Sequence, residues 1–321
     1  MANRDLFVIG SSLGGVEALM RLLSDLPADL DATLFIAQHT SPRSKLERVL
    51  ARRARLPVRL AVDGDAFDRG TIYVAPPDRH LLVEAKTTRV VRGPRENGVR
   101  PAIDPLFRSA AAHHGPRVVG IVLTGLRDDG TAGLQAIARS GGRTVVQDPD
   151  DAAYPEMPRS ALAALEIDHV VPLSRMAALI SELAAQPAPD DGGAPDDIVR
   201  EARITGTYQV SDAPLDRIGR LSTFDCPECG GPIWEIGDEG SEHYRCRIGH
   251  AYSVQALGDL QAERVERSLL VAMRMLGERS RWLQRMVDRC PDSRDSTRLA
   301  RERDEALGHV EVLKELLSSL S

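Results

Sequence analysis

The feature that most constrains the fold is a series of short apolar runs that alternate with helix-length amphipathic stretches in the first part of the chain. Continuous apolar runs rich in β-branched residues indicate strands buried on both faces, and intervening helices indicate a parallel sheet covered on both sides. Residues 1–186 are therefore predicted to form an α/β domain with a doubly wound, mostly parallel sheet. The predicted strands are Leu6–Ile9, Thr33–Ala37, Val58–Val62, Thr71–Ala75, Val118–Thr124 and Thr144–Gln147, and the helices between them include Gly15–Leu26 and Pro105–His113.

The remaining residues are predicted to form three smaller regions. Residues 187–222 are expected to be a linker, because Gln186–Pro195 (QPAPDDGGAP) cannot build a core. Within it, Ile198–Leu221 leaves two alternatives open, packing against the first domain or remaining extended. A cysteine cluster at residues 223–253 follows, and residues 254–321 are predicted to form a helical hairpin with its break at Asp292 and Ser293.

Composition and charge exclude several classes of protein. The 321 residues are 42% hydrophobic and carry a formal net charge of −6, which is typical of a globular protein and gives no indication of nucleic-acid binding. The sequence has no secretory signal and no apolar stretch near the roughly 20 residues that a membrane span needs. A cytoplasmic location without direct membrane insertion is therefore expected.

A glycine-rich turn, Gly10-Ser-Ser-Leu-Gly-Gly15, joins the first predicted strand to the first predicted helix. Such a turn suits either phosphate binding or the exposure of a serine nucleophile. No lysine follows the glycines, as a P-loop requires, and Ser12 replaces the second glycine of a dinucleotide-binding motif. A serine nucleophile is therefore favoured, with nucleotide binding as a weaker hypothesis that thermal shift with nucleotides can test.

Polar side chains with complementary chemistry follow three of the predicted strands. Ser12 follows the first and His39 the second, and Asp128 and Asp129 follow the strand that begins at Val118. Because parallel strands end at one edge of a sheet, we expect these groups to meet there. A serine needs an imidazole to accept its proton, and a carboxylate orients the imidazole, so the three positions predict a hydrolytic triad.

All four cysteines lie in the last third of the chain, which in a reducing compartment favours a metal site over disulfides. Cys226 and Cys229 have the spacing of a knuckle, and 16 residues later Cys246 is followed by His250. Three thiolates and one imidazole predict a closed tetrahedral Zn²⁺ site of structural type. His243 is an alternative ligand, short strands at Pro232–Ile236 and His243–Arg245 would complete a zinc ribbon, and Cys290 is expected to be buried packing.

Six ordered segments resemble the catalytic domain of the CheB-type protein-glutamate methylesterases. They span about residues 5–184 and read GSSLGGVEAL, IAQHTSP, GTIYVAPPDRHLLV, RPAIDPLFRSAA, VLTGLRDDGTAGL and QDPDDAAYPEMPRSAL. The resemblance implies a serine hydrolase that removes methyl esters from protein glutamates, in addition to deamidating some glutamines, and that needs no cofactor for catalysis. It implies a methylated, chemoreceptor-like protein as the substrate.

The resemblance also assigns roles to residues of this chain. It maps the nucleophile to Ser12, the base to His39 and the orienting carboxylate to Asp129, and it gives an oxyanion role to the backbone N–H of Leu126. The N–H of Leu13, directly after the nucleophile, is a second oxyanion candidate because of its place in the turn.

This chain departs from the family pattern in ways that affect substrate and regulation. Leu13, Leu126 and Arg127 replace residues usual at the rim, which leaves the receptor substrate open. The chain begins at the first strand without the usual phosphoacceptor domain, so we expect an enzyme that is not gated by phosphorylation of its own chain.

The segment CPECGG…YRCRIGHAYS resembles a zinc-ribbon extension of some CheB-like proteins. The helices after it are expected to serve docking or homo-oligomerisation. The alternative function is a catalytically degenerate regulatory or binding protein that acts through its zinc ribbon and helices.

Overall fold

The computed structural model describes residues 3–189, 193–208, 213–237, 242–289 and 294–319. Residues Met1–Leu257 form one compact unit and Gly258–Ser321 form a second. Among the helices of the described residues, none is both long and apolar enough to cross a membrane.

The core of the first unit is a seven-stranded sheet in which every pair of neighbouring strands is parallel. Its strand order is β3-β4-β2-β1-β7-β8-β9. The predicted doubly wound α/β fold is thereby confirmed, and all six predicted strands are present. The strands are β1 (Leu6–Ser11), β2 (Thr33–Gln38), β3 (Val58–Leu60), β4 (Ile72–Val74), β7 (Val118–Val122), β8 (Arg143–Gln147) and β9 (His169–Val171).

Helices cover both faces of this sheet because its strands are apolar on both sides. Along β1, Phe7 and Ile9 pack into one buried cluster and Leu6 and Val8 into the opposite one, as the two-residue period of a strand requires. The first cluster includes residues of α1 (Gly15–Asp25), α2 (Leu46–Leu50) and α6 (Leu173–Ala184), and the second includes residues of α3 (Ile103–His114), α4 (Thr131–Arg139) and α5 (Glu156–Ala164).

The chain order reverses on either side of β1. On one side of β1 lie β2, β4 and, at the edge of the sheet, β3. The chain then returns to the other side of β1 with β7. The loops after β1, β2 and β7 therefore leave the sheet at adjacent positions of its carboxyl edge, where open α/β sheets bind their ligands.

A small antiparallel hairpin that was not among the predicted strands packs on α3. It consists of β5 (His80–Val83) and β6 (Thr88–Val91), and the N–H of Val83 donates to Ser109 Oγ at 3.0 Å. Strand β5 is the apolar run HLLV and β6 is the mixed run TRVV, both too short for periodicity alone to assign them.

In the segment Ile198–Leu221, for which two alternatives were open, the helical part packs against the first domain, and residues 209–212 lie outside the described residues. Helix α7 (Asp196–Ile204) places Ile198 in the same buried cluster as Val8 of β1. The helix is short and rich in charged residues, so its apolar periodicity was not evident in the sequence. Burial of Ile198 and Glu201 fixes its position.

The cysteine region forms a four-stranded antiparallel sheet, which we call the ribbon. The two predicted strands are present, and the sheet begins at Gly219, within the segment expected to be linker. One apolar cluster of the ribbon contains Ile204, Leu215, Trp234 and Ile236, and Ile233, Tyr244 and Tyr252 are also buried. The strands are β10 (Gly219–Asp225), β11 (Pro232–Ile236), β12 (His243–Cys246) and β13 (Ala251–Ser253).

Two long helices end the chain, α8 (Val254–Arg289) and α9 (Arg294–Ser319). In the second unit an ion pair between Arg279 and Glu302 joins these helices at 3.4 Å, and Leu283 and Ala306 are buried. The predicted break at Asp292 and Ser293, and Cys290 with its expected packing, lie outside the described residues.

Candidate active site

The nucleophile candidate lies in a tight turn between β1 and α1. Gly14 closes this turn in the left-handed region with a φ of 78°, a conformation that costs glycine little. The N–H of Gly15 donates to the carbonyl of Ser12 at 2.9 Å, and the N–H of Ser12 donates to the carbonyl of Thr124 at 3.0 Å. The second bond ties the turn to the loop after β7, so Ser12 is fixed between two strand ends.

Three side chains meet at the carboxyl edge as the sequence predicted. Ser12 Oγ lies 3.0 Å from His39 Nδ1, and His39 Nε2 lies 2.7 Å from Asp129 Oδ2. The imidazole therefore faces the serine with Nδ1 and the carboxylate with Nε2, the opposite orientation to that of the chymotrypsin-type triad.

Asp129 is buried and accepts several hydrogen bonds. Its Oδ2 accepts from the N–H of Ile103 at 2.7 Å as well as from His39, and its Oδ1 accepts from Asn97 Nδ2 at 2.8 Å. Burial opposes ionisation, but these donors, with His39 the strongest, outweigh it and hold the pKa of Asp129 below its usual value. An ionised Asp129 keeps the proton on Nε2 and leaves Nδ1 free to accept from Ser12.

Two residues with unused backbone N–H groups line the same cavity as the serine. The cavity has a volume of about 540 Å³ and is lined by Ser12, His39, Leu13 and Leu126 among others. Within the described ranges, the N–H groups of Leu13 and Leu126 donate to no other group, whereas the neighbouring N–H groups of Gly125 and Arg127 are already used. These two N–H groups are the oxyanion candidates named from the sequence, and their role stays a prediction.

Glycine at position 125 is required by the close approach of two segments. A Cβ added there would lie 2.7 Å from the Cβ of Ser12 and 2.0 Å from Met157 Sδ. No larger residue can occupy this position without displacing the nucleophile turn, so Gly125 allows the β7 loop to reach Ser12.

The predicted metal ligands also come together. One ligand atom from each of Cys226, Cys229, Cys246 and His250 lies within 4.8 Å of every other. Sγ of Cys229 and of Cys246 are 3.7 Å apart, and His250 Nδ1 is 3.4 Å from Cys246 Sγ. A tetrahedral site with bonds of about 2.0–2.3 Å separates its ligand atoms by about 3.3–3.8 Å, so the group fits such an ion.

The surroundings of this cluster orient its ligands. Tyr252 Oη lies 3.0 Å from Cys226 Sγ, and Glu228 Oε2 lies 3.3 Å from His250 Nε2, which leaves Nδ1 of the imidazole facing the thiols. A carboxylate behind a ligating histidine is common at metal sites. The alternative ligand His243 instead contacts Glu201 at 3.0 Å. The cluster can therefore hold a metal through the first four residues.

Comparisons with known proteins identify the class of the catalytic region. The sequence profile of the CheB methylesterases matches residues 7–180. The crystal structure of the CheB methylesterase catalytic domain of Thermotoga maritima superposes with a TM-score of 0.55 at 29% identity, covering 57% of this chain and all of that one. The chain therefore carries the catalytic fold of a carboxylic ester hydrolase.

Sequence relatives agree with this class. A Leptospira interrogans protein provisionally named protein-glutamate methylesterase/protein-glutamine glutaminase is 39% identical over 56% of this chain and 95% of its own length. "Protein-glutamate methylesterase/protein-glutamine glutaminase 3" of Burkholderia thailandensis is 40% identical over 54% of this chain, but the match spans only 50% of that protein. The chain belongs to the CheB methylesterase family.

Several residues of the site were missed by the sequence reasoning. Gln38 Nε2 donates to the carbonyls of Ser12 and His39 at 2.7 and 2.9 Å and so connects the two segments. Asn97 and Asp104 approach Asp129 from the loop and helix that follow β6. Gln38 precedes the predicted site residue His39, and this position was a signal that the sequence offered. No local pattern predicts a contact between residues 32 positions apart, such as that of Asn97 with Asp129.

Proposed function

We propose that the protein hydrolyses methyl esters of glutamate side chains in a protein substrate, with Ser12 as nucleophile, His39 as general base and acid, and Asp129 as orienting group. The observation that carries the proposal is the continuous hydrogen-bonded chain from Ser12 Oγ through both ring nitrogens of His39 to Asp129. Family membership supports the ester as substrate class, and the names of the relatives support protein glutamate.

In the first half-reaction, Ser12 Oγ attacks the ester carbonyl carbon while its proton passes to His39 Nδ1. The N–H groups of Leu13 and Leu126 stabilise the negative oxygen of the tetrahedral intermediate. Collapse of this intermediate breaks the bond to the methoxy oxygen, which takes the proton from His39 and leaves as methanol.

In the second half-reaction, water attacks the glutamyl ester on Ser12 and gives a proton to His39. Collapse returns this proton to Ser12 Oγ and releases the glutamate side chain as a carboxylic acid, which then ionises. Asp129 remains ionised throughout and stabilises the imidazolium. An amide entering the same acyl-enzyme route releases ammonia, so the proposal includes glutamine deamidation, which the names of the relatives also support.

The rim of the cavity supports a protein as the substrate. Leu13, Val16 and Leu126 are 47%, 37% and 39% exposed beside the nucleophile. Hydrolysis of a small methyl ester would not need such an apolar rim. Exposed apolar side chains around a polar site favour contact with another protein surface. We include a methylated, chemoreceptor-like protein as the substrate in the proposal.

We further propose that the cluster in the ribbon holds a structural Zn²⁺. Three thiolates and one imidazole leave no open position for substrate, so the ion would add folding stability and take no part in ester hydrolysis. Cys226, Cys229 and Cys246 are not joined in disulfides, which is typical of a reducing compartment. We therefore also propose a cytoplasmic location. Metal analysis of purified protein should find one zinc per chain.

Self-association through α8 and α9 remains a prediction, which light scattering can test by measuring the molar mass in solution.

The test of catalysis is methanol release from a methylated receptor fragment. Ser12→Ala should lower the rate by at least about 10³-fold, because the nucleophile is lost while the fold is retained. Ser11→Ala is the matched control, since Ser11 Oγ donates to Gln38 and does not face His39. Turnover by Ser12→Ala close to that of the unaltered enzyme would exclude Ser12 as the nucleophile.

A further inference from the structure

Asn97 lies between the carboxylate of the active site and the ribbon. It is buried and has a φ of 53°, a left-handed conformation that asparagine adopts more readily than most residues. Its Nδ2 lies 2.8 Å from Asp129 Oδ1 and 2.8 Å from Asp104 Oδ2. The two hydrogens of one amide group are thus donated to two carboxyl groups.

The ribbon determines which way this amide points. The N–H of Ser253 donates to Asn97 Oδ1 at 2.9 Å, and the N–H of Asn97 donates to the carbonyl of Ala251 at 2.7 Å. Because the amide oxygen accepts from the ribbon, the amide NH₂ must face the carboxyl groups. The orientation of the Asn97 side chain therefore depends on β13 being in place.

The pKa values of the two carboxyl groups that share Asn97 are shifted in opposite directions. Burial and the nearby charge of Asp129 raise the pKa of Asp104 well above its usual range, whereas that of Asp129 is lowered. Asp104 also accepts from the N–H groups of Gly130 and Gly133 at the start of α4. The titratable or charged groups that face the pair are His39, Arg108 and Glu96, and the buried His80 also senses the charge of Asp129.

A buried charge cluster attaches the ribbon beside Asn97. Arg245, next to the metal ligand Cys246 in β12, contacts Glu96 at 2.8 Å and Glu201 at 3.0 Å. Arg108 of α3 contacts the same two carboxylates at 3.1 and 3.2 Å. Glu96 directly precedes Asn97, so this cluster fixes the loop from which Asn97 reaches Asp129.

We propose that Asn97 is a positioning residue for the Asp129–His39 pair and that the ribbon holds it in that role. The inference rests on the proposed function, because the carboxylate that Asn97 orients, Asp129, belongs to the proposed triad. The ribbon is on this view a part of the active-site framework, joined to it through Arg245 and Glu96 on one side and through Ala251 and Ser253 on the other.

The test compares the unaltered enzyme with Asn97→Gly, which removes the side chain but tolerates the left-handed backbone. We expect kcat to fall about 10–100-fold with KM within about twofold, since orientation of the base is lost and substrate binding is not. A kcat within twofold of that of the unaltered enzyme would overturn the proposal.

A readout independent of turnover separates this inference from the proposed function. In a ¹³C titration of the Asp129 carboxyl, the midpoint of Asn97→Gly should lie about one unit above that of the unaltered protein. An unchanged midpoint refutes the inference even if the enzyme is active. A raised midpoint in a protein that releases no methanol supports the position of Asn97 while the proposed function fails.

The role of the ribbon is tested by withdrawing metal from the full chain with a chelator. Amide exchange at Asn97 and Ser253 should accelerate, and the Asp129 midpoint should rise as in Asn97→Gly. Applied to Asn97→Gly itself, the chelator should shift the midpoint no further, since both changes act through one contact. Accelerated exchange in the ribbon without any shift at Asp129 would show that the ribbon does not hold Asn97.

Discussion

The catalytic edge and the ribbon are stabilised in different ways. Ser12, His39 and Asp129 follow strands whose residues are fully buried, so the large apolar core of the parallel sheet fixes the positions of the three groups. The ribbon is a much smaller element, whose described residues combine a small apolar cluster with a Cys/His cluster and buried ion pairs. The comparison teaches that the sheet sets the positions of the three groups, whereas buried ion pairs attach the ribbon to the first domain, and the proposed metal would add to the stability of the ribbon.

The largest expected effect tests the catalytic edge with its two neighbouring aspartates. Asp129→Asn should lower kcat by about 10³–10⁴-fold, because the imidazole loses the charge that fixes its tautomer and stabilises its protonated form. Asp128→Asn, the matched control one residue away, should stay within about threefold. Steady-state methanol release measures both, and equal losses in the two variants would contradict the assignment of Asp129.

A second prediction concerns the attachment of the ribbon. Burial opposes ionisation of Glu201, but Arg108, His243 and Arg245 outweigh it and hold the pKa of Glu201 well below its usual range. Glu201→Gln leaves the buried Arg108 and Arg245 with Glu96 as their shared carboxylate, which should cost about 3–5 kcal/mol in the free energy of unfolding at pH 7. Denaturant unfolding measures it, and Asp196→Asn, in an exposed pair on the same helix, should change little.

The pH dependence of that difference follows from the lowered pKa. A carboxylate with a depressed folded-state pKa contributes stability above its unfolded value of about 4.3, and this contribution is lost as pH falls through the folded value. The difference between the unaltered protein and Glu201→Gln should therefore be present at pH 7 and shrink as the pH falls below about 4. A difference that grows on acidification would contradict the ion-pair account.

The smallest expected effect concerns the oxyanion groups. Leu13→Ala and Leu126→Ala should each keep kcat within about threefold, because the N–H that stabilises the intermediate belongs to the backbone. KM for a protein substrate should rise in both, since the exposed side chains line the rim. A loss of kcat above about tenfold with KM unchanged would show that these side chains act in the transition state.

Sequence reasoning predicted the sheet and its site because the relevant signals are local. The apolar runs marked the strands, and the rule that parallel strands end together placed Ser12, His39 and the Asp128–Asp129 pair at one edge. The choice of Asp129 from that pair came from the family resemblance. The ribbon ligands were likewise predictable, because Cys226 and Cys229 have a fixed spacing.

The supporting contacts could not be predicted in the same way. The bond from Ser253 to Asn97 joins residues 156 positions apart, and the ion pair of Arg245 with Glu96 joins residues 149 apart. Both pairs lie between two folded elements, so no period or motif in either segment encodes them. The fate of Ile198–Leu221 stayed open for the same reason, because α7 is positioned by burial of Ile198 and Glu201 against distant residues.

The central claim is that Ser12 is a nucleophile activated by His39 and Asp129. Its most direct test is intact-protein mass spectrometry after reaction with a fluorophosphonate, followed by peptide mapping. The account predicts one adduct per chain, located on Ser12, and labelling that is strongly slowed in Asp129→Asn but retained in Asp128→Asn. A protein that remains unlabelled, or that carries its adduct on another serine, would contradict it.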